Sequence, residues 1–203
     1  MVNKRIKEIV LATQNPSKLY EINDILNKHS LQIDFTLINS YTKIEAIEDG
    51  NSFEENALIK AEFAYLHSGK PSLSEDSGLC ISALSNAPGI YSKRWNENGD
   101  NTYNVAFNKI KKLMKFSEDK SAHFVSVFCL YEGLGKYKFF KAQLDGKITF
   151  SPIGDNGFAY DRIFIPNGFS KTMAQIETEE KNQISHRKKS LDMLIKYLNT
   201  QKV

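Results

Sequence analysis

What most constrains the fold of this chain is the alternation of short apolar runs with stretches whose apolar residues recur every three or four positions. Residues 6–12 make a run suited to a buried strand. Asn15-Pro16 follows, an N-cap with proline at the first helical position, and Leu19, Ile22, Ile25 and Leu26 then share one helical face. Residues 31–38 return as a strand. Ser52-Phe53-Glu54-Glu55 has the form of a capping box, so a helix is predicted from there to about His67, stopped at Gly69-Lys70-Pro71. Residues 72–81 read as extended, and residues 103–116 as a helix with Val105, Phe107, Ile110, Leu113 and Met114 on its apolar side. Residues 122–131 and 137–144 are rich in aromatic and β-branched side chains, with Gly133 and Gly135 between them, which predicts an antiparallel hairpin. Ile163-Phe164-Ile165 reads as a core strand. A last helix is predicted from Ser185–His186, burying Leu191, Leu194, Ile195 and Leu198. This order implies an α/β fold with a mixed central β-sheet flanked by helices, and not a purely parallel, doubly wound sheet.

Composition narrows the function classes. At 203 residues, the length predicts a single domain, residues 1–203, with a sizeable core. The formal net charge is only +3, and no basic run stands out beyond Arg187-Lys188-Lys189, so no nucleic-acid partner is expected. No apolar stretch approaches membrane-spanning length, and the N-terminal residues lack signal-peptide character; the expectation is a cytoplasmic protein with no membrane partner. Cys80 and Cys129 sit in separate apolar runs, which predicts two buried, reduced thiols and no disulfide framework.

Five segments carry side chains suited to chemistry. Thr13-Gln14-Asn15-Pro16-Ser17-Lys18 stands at a strand-to-helix junction, where free N–H groups and the helix dipole suit phosphate oxygens. Alone, an N-cap and a solvated lysine account for it, and the glycines of a P-loop are missing. In Ser74-Glu75-Asp76-Ser77-Gly78, strand alternation sends Glu75 and Asp76 to opposite sides, which predicts different roles for them. A carboxylate at a strand end suits Mg²⁺, which takes hard oxygen ligands and keeps waters for a bridging phosphate; a solvated acidic turn fits the same residues. Glu45, Glu48 and Asp49 offer a second metal ligand, and Lys60 on the following helix is either a second phosphate cation or solvent-facing.

In residues 154–161, Phe158 and Tyr160 alternate with small or acidic residues and end at Asp161, an arrangement for stacking a purine or, more simply, a hairpin loop. Lys181 and Ser185-His186-Arg187 gather donors at a helix start, where cations oppose the dipole, and so suggest a bound anion or acceptor-rich ligand.

Together the motifs are specific. Thr-x-Asn-x-x-Lys at 13–18, Ser-Phe-x-Glu-Asn-Ala-x-x-Lys-Ala at 52–61, Glu-Asp-Ser-Gly-Leu at 75–79, Ala-Pro-Gly-Ile-Tyr-Ser at 87–92, Gly-Phe-x-Tyr-Asp at 157–161 and Glu-Lys-x-x-x-Ser-His-Arg at 180–187 stand in this order. In content and order they resemble the inosine triphosphate pyrophosphatases, also called XTP/dITP diphosphatases. The resemblance implies two lobes with an active-site cleft between them and a homodimer. It also implies Mg²⁺-dependent hydrolysis of deaminated purine nucleoside triphosphates (ITP, dITP, XTP) to the monophosphate and pyrophosphate, which clears them from the nucleotide pool. Thr13, Gln14, Asn15, Pro16, Ser17, Lys18 and Lys60 would then bind phosphates. Asp76 would be catalytic, and Asp76, Glu48 and Glu75 would hold the metal, with Glu45 as the alternative to Glu48. Ser77 would touch substrate, and Phe158, Ala159, Tyr160, Asp161, Lys181, Ser185, His186 and Arg187 would form the nucleobase pocket. Departures from the family pattern include Gln14 and Ala159 in place of glycine, and Arg162 in place of proline.

Overall fold

Strand β1, Glu8–Leu11, is continuously apolar over Ile9, Val10 and Leu11 because both of its faces are covered. Ile9 and Leu11 enter one apolar cluster and Val10, on the opposite face, enters another. Its two neighbours are parallel. β2, Asp34–Leu37, pairs with it from Glu8↔Asp34 to Leu11↔Leu37, and β3, Ser72–Ile81, pairs at Val10↔Ser72 and Leu11↔Leu73. β4, Ser121–Gly133, and β5, Lys136–Ile148, are joined only by Leu134-Gly135, whose φ values of 52° and 72° suit a two-residue hairpin turn of the primed type. β6, Phe164–Pro166, runs antiparallel to β5. The strand order is β2-β1-β3-β4-β5-β6. The sheet is therefore mixed and, with the helices, makes the α/β fold expected from the sequence.

A computed structural model of the chain describes residues 6–13, 22, 26, 29, 33–97, 99 and 102–200. Most of the helix predicted from Asn15 lies outside these residues; Ile22 and Leu26 are within them, helical and buried. Four other α-helices lie among the described residues: α1, Phe53–Ser68; α2, Asn104–Leu113; α3, Thr178–Ile184; and α4, His186–Thr200. At the start of α1, the Ser52 hydroxyl accepts the Glu55 N–H at 3.1 Å. At its end Gly69 takes the left-handed conformation (φ 68°) and donates its N–H to Tyr65 O. Both boundaries are those the sequence predicts.

The chain divides into two compact units: unit 1 is Met1–Asp76, Ser126–Ala142 and Arg187–Val203, and unit 2 is Ser77–Val125 and Gln143–His186. The core of unit 1 joins Ile9, Leu11, Leu73, Phe128, Leu130 and Phe140 to Leu191, Leu194, Ile195 and Leu198, the four positions predicted for the last helix. The core of unit 2 gathers Leu79, Ile81, Phe124, Leu144, Ile148, Tyr160 and Phe164 around Ala106, Phe107, Ile110 and Met114. Here the predicted face of α2 is corrected. Val105 and Leu113 are about half exposed, and Ala106 holds the inward position; at 100° per residue the stripe set by 106, 107, 110 and 114 leaves Val105 on the far side and Leu113 just outside its edge.

No helix among the described residues is long and apolar enough to cross a membrane. Cys80 and Cys129 are both buried. Burial, with a smaller contribution from the Glu62 charge, pushes the Cys129 thiol up to about 12. Cys129 should therefore resist a thiol reagent in the native protein at pH 8 and label on unfolding in urea. Prompt native labelling of the Cys129 peptide, read by mass spectrometry, would contradict this packing.

Candidate active site

The first cluster of polar side chains, in unit 1, is set by the way α1 lies against β3. The helix presents Ala57, Ala61 and Ala64, all fully buried, so its backbone approaches closely. Ser72 Oγ donates to Ala61 O at 2.6 Å, and Ser74 Oγ donates to Ala57 O. Two residues along a strand advance about 6.6 Å, and four along a helix about 6 Å, so each step forward on β3 meets one turn back on α1. The next residue on that side of the strand is Asp76. It meets Asn56 Nδ2 at 3.4 Å through Oδ2 and Lys60 Nζ at 2.8 Å through Oδ1.

Lys60 Nζ also lies 2.9 Å from Glu48 Oε1. Burial works against the Lys60 charge, but the neighbouring charges of Asp76 and then Glu48, with their hydrogen bonds, more than reverse this and hold its pKa above the ordinary lysine value. Raised above its ordinary value, the ammonium stays protonated at neutral pH. Of the three acids in the preceding loop, Glu48 is the one on Lys60, while Glu45 and Asp49 are exposed.

Glu75 points away from this group, as alternation requires. Its side chain is fully buried, and Oε1 accepts from Ser126 Oγ at 3.0 Å and from Arg187 Nε at 3.3 Å, with Arg187 Nη2 at 3.2 Å. Ser190 Oγ lies 3.0 Å from both Ser126 Oγ and Arg187 O. Arg187, expected with the nucleobase contacts, is thus found on Glu75. The cation at the start of α4 has an acceptor inside the protein.

The oxygen donors suit a hard divalent cation. Asp76 Oδ1 and Glu48 Oε1 touch the same Nζ, so the two carboxylates lie close together. Mg²⁺ is commonly held by one or two carboxylates plus waters and substrate phosphates. No group of three or more His, Cys, Asp or Glu able to hold a metal occurs among the described residues.

The second cluster belongs to unit 2. The 3-10 turn Ala159–Arg162 is closed by Asp161 Oδ2, which accepts the Phe158 N–H at 3.0 Å and pairs with Lys181 Nζ at 2.8 Å. Gly157 takes φ 86°, which strains any residue with a side chain, and a Cβ there would also press on Asp161 Oδ2 and Lys181 Nζ. Lys181 Nζ stands 5.6 Å from the centroid of the half-buried Phe158 ring. Ala159 adopts φ 52°, the left-handed region that favours glycine. Arg162 Nε donates to Gly154 O and so closes the loop from the far side.

Tyr160 is buried against Tyr103 and Phe107 and donates its hydroxyl to Ser92 O at 2.8 Å; burial raises its phenol far above the usual range. Ser185 is buried at the end of α3, and the His186 ring stacks on Phe124 at 4.8 Å. Thr13 follows β1 in unit 1, and Ser77 follows Asp76 on β3 in unit 2. Gln14, Asn15, Pro16, Ser17 and Lys18, expected in the phosphate turn, lie outside the described residues.

The Ham1 family model matches residues 9–197. The chain belongs to the Ham1 family. A dITP/XTP pyrophosphatase of Aquifex aeolicus is 36% identical over 199 residues, covering 94% of this chain and 96% of that protein. Among solved structures, a HAM1 protein from Coxiella burnetii matches with a TM-score of 0.89 at 36% identity, covering 96% of this chain and 100% of that one. The Ham1 protein of Staphylococcus aureus matches with a TM-score of 0.85 at 34% identity, with the same coverage of each chain. The Ham1 relatives are enzymes, and so is this chain. Sequence reasoning missed the polar staples Asn56, Ser126 and Ser190. A usable signal was the serine, serine, aspartate series at 72, 74 and 76, polar at every second position of a buried strand.

Because Glu75 and Arg187 are both fully buried, removing one charge leaves the other stranded. Arg187→Met should cost about 3–5 kcal/mol of stability in urea unfolding. The double variant Glu75→Gln/Arg187→Met should recover much of that loss. Equal losses in the single and double variants would show that the pair is not coupled.

Proposed function

We propose that this Ham1-family enzyme hydrolyses deaminated purine nucleoside triphosphates (ITP, dITP and XTP) to the nucleoside monophosphate and pyrophosphate, with Mg²⁺. The observation that carries the reading is the Lys60 ammonium, its side chain 12% exposed, shared between Asp76 and Glu48. It supplies, at one place, a fixed cation for phosphate oxygens and two hard anionic ligands, the parts phosphoryl transfer asks for. The names of its relatives, dITP/XTP pyrophosphatases, support the substrate class.

In this reading Lys60 and Lys18, with the other residues of the Thr13–Lys18 segment, neutralise the triphosphate. When bound at Asp76 and Glu48, Mg²⁺ supplies further charge neutralisation and acidifies water. Asp76 orients the attacking water and accepts its proton, and the α–β phosphoanhydride breaks. Glu75, tied to Arg187 and Ser126, keeps the middle of β3 in place. Phe158 offers a face for the base, and Lys181, oriented by Asp161, offers a donor suited to the 6-oxygen of hypoxanthine or xanthine. Adenine presents an amino group at that position and would leave such a donor unpaired, a strong basis for rejection. A homodimer, as the resemblance implies, belongs to the same reading.

A panel of ITP, dITP, XTP, GTP and ATP, scored for pyrophosphate against orthophosphate, tests it. The deaminated purines should be turned over fastest and release pyrophosphate. Asp76→Asn should lower kcat for ITP by about 10²–10⁴-fold, the usual weight of a general base; near-normal turnover would remove Asp76 from the chemistry. Phe158→Ala should raise KM for ITP, with stacking contributing about 1–3 kcal/mol. An unchanged KM would take Phe158 out of the base contacts.

A further inference from the structure

Asn56 is 1% exposed and sits in the first turns of α1, where an asparagine gains nothing from helix propensity. Its side-chain amide is used at both ends. Oδ1 accepts the Gly50 N–H at 2.9 Å, and Nδ2 donates to Asp76 Oδ2 at 3.4 Å. The orientation of the amide is fixed by its partners, since a backbone N–H demands an acceptor and a carboxylate demands a donor. Gly50 lies two residues after Glu48. A Cβ at Gly50 would stand 2.7 Å from Glu55 Cβ and 2.8 Å from Asn56 Oδ1, so this approach of the loop to the helix is open only to glycine. The neighbouring Asn51 N–H is held by Glu55 Oε2 at 2.7 Å. Two successive backbone amides of the loop are therefore bound to side chains one residue apart on α1.

We propose that Asn56 is a positioning residue that couples the two carboxylates. One amide group fixes the backbone beside Glu48 and holds Asp76 at the same time, and so sets how the two acids face Lys60. Aspartate in its place would satisfy Gly50 and lose the donor to Asp76; alanine would lose both. The inference rests on the proposed function only in that it takes these carboxylates to serve the reaction.

The test has two readouts. Amide hydrogen exchange of Gly50 and Asn51 is measured on the protein without nucleotide, and kcat and KM for ITP are measured alongside. Asn56→Ala should speed Gly50 exchange by about tenfold, the weight of one hydrogen bond, and lower kcat by roughly 10–100-fold through misplacement of the acids, with KM changed much less. Asn56→Asp should keep Gly50 protected and still lose kcat. Gly50→Ala, which leaves Asn56 in place but presses a methyl group on its Oδ1, should lower kcat in the same way; it serves also if an Asn56 variant does not fold. Wild-type exchange at Gly50 in Asn56→Ala, or wild-type kcat in both Asn56→Asp and Gly50→Ala, would overturn the inference. A wild-type enzyme inactive on ITP would instead count against the proposed function, and the exchange result would still decide whether Asn56 anchors the loop.

Discussion

The docking of α1 on β3 is the constraint from which the unit 1 site follows. Two buried serine hydroxyls at positions 72 and 74 bind helix carbonyls at 61 and 57, and Asp76, the next residue on that side of the strand, meets the side chains of Asn56 and Lys60. Alanines at 57, 61 and 64 make the approach close enough for hydroxyls to reach backbone oxygen. Hydroxyl-to-carbonyl bonds of this kind are individually modest, about 1 kcal/mol each. Their value lies in register, because they fix which turns of α1 lie against the stretch of β3 that leads to Asp76.

Charge is handled differently on the two sides of β3. On one side Lys60 keeps its proton because two carboxylates outweigh the cost of its burial. In the proposed function the same two carboxylates would serve a divalent ion arriving with a phosphate chain. On the other side Glu75 is matched by Arg187 and a hydroxyl, and its Oε1 is committed to those donors. In unit 2 the same economy recurs on a smaller scale: Asp161 closes its own turn and aims the Lys181 ammonium, which keeps a buried cation in place beside the Phe158 ring.

Much of the local structure was legible in the sequence, because its signals are local. Ser52 and Gly69 bound α1 as cap chemistry requires, and the apolar spacing of α4 named its buried leucines correctly. α3 was not legible: Thr178–Ile184 is two turns of mainly polar residues with no apolar stripe to read. Leu113 was misplaced because an apolar residue beside the stripe looks like part of it when only spacing is read, and Val105 because Ala106 was passed over for its larger neighbour. For the acids, alternation separated Glu75 from Asp76 without a structure. It could not say that the partner of Glu75 is 112 residues away, nor that the cation opposing the dipole of α4 is answered from within the protein. Asn56 stayed hidden for the same reason, since its work is defined by residues on a loop and a strand.

The alternation along β3 has a consequence for how this stretch can change over time. A side chain here can be exchanged for another with only local effect, but a deletion or insertion of one residue between Ser72 and Asp76 reverses every face after it. The acid matched to an arginine and the acid matched to a lysine would trade places. This short segment should therefore accept substitutions far more readily than changes of length, and length variation among descendants of this gene should gather instead in the exposed turns.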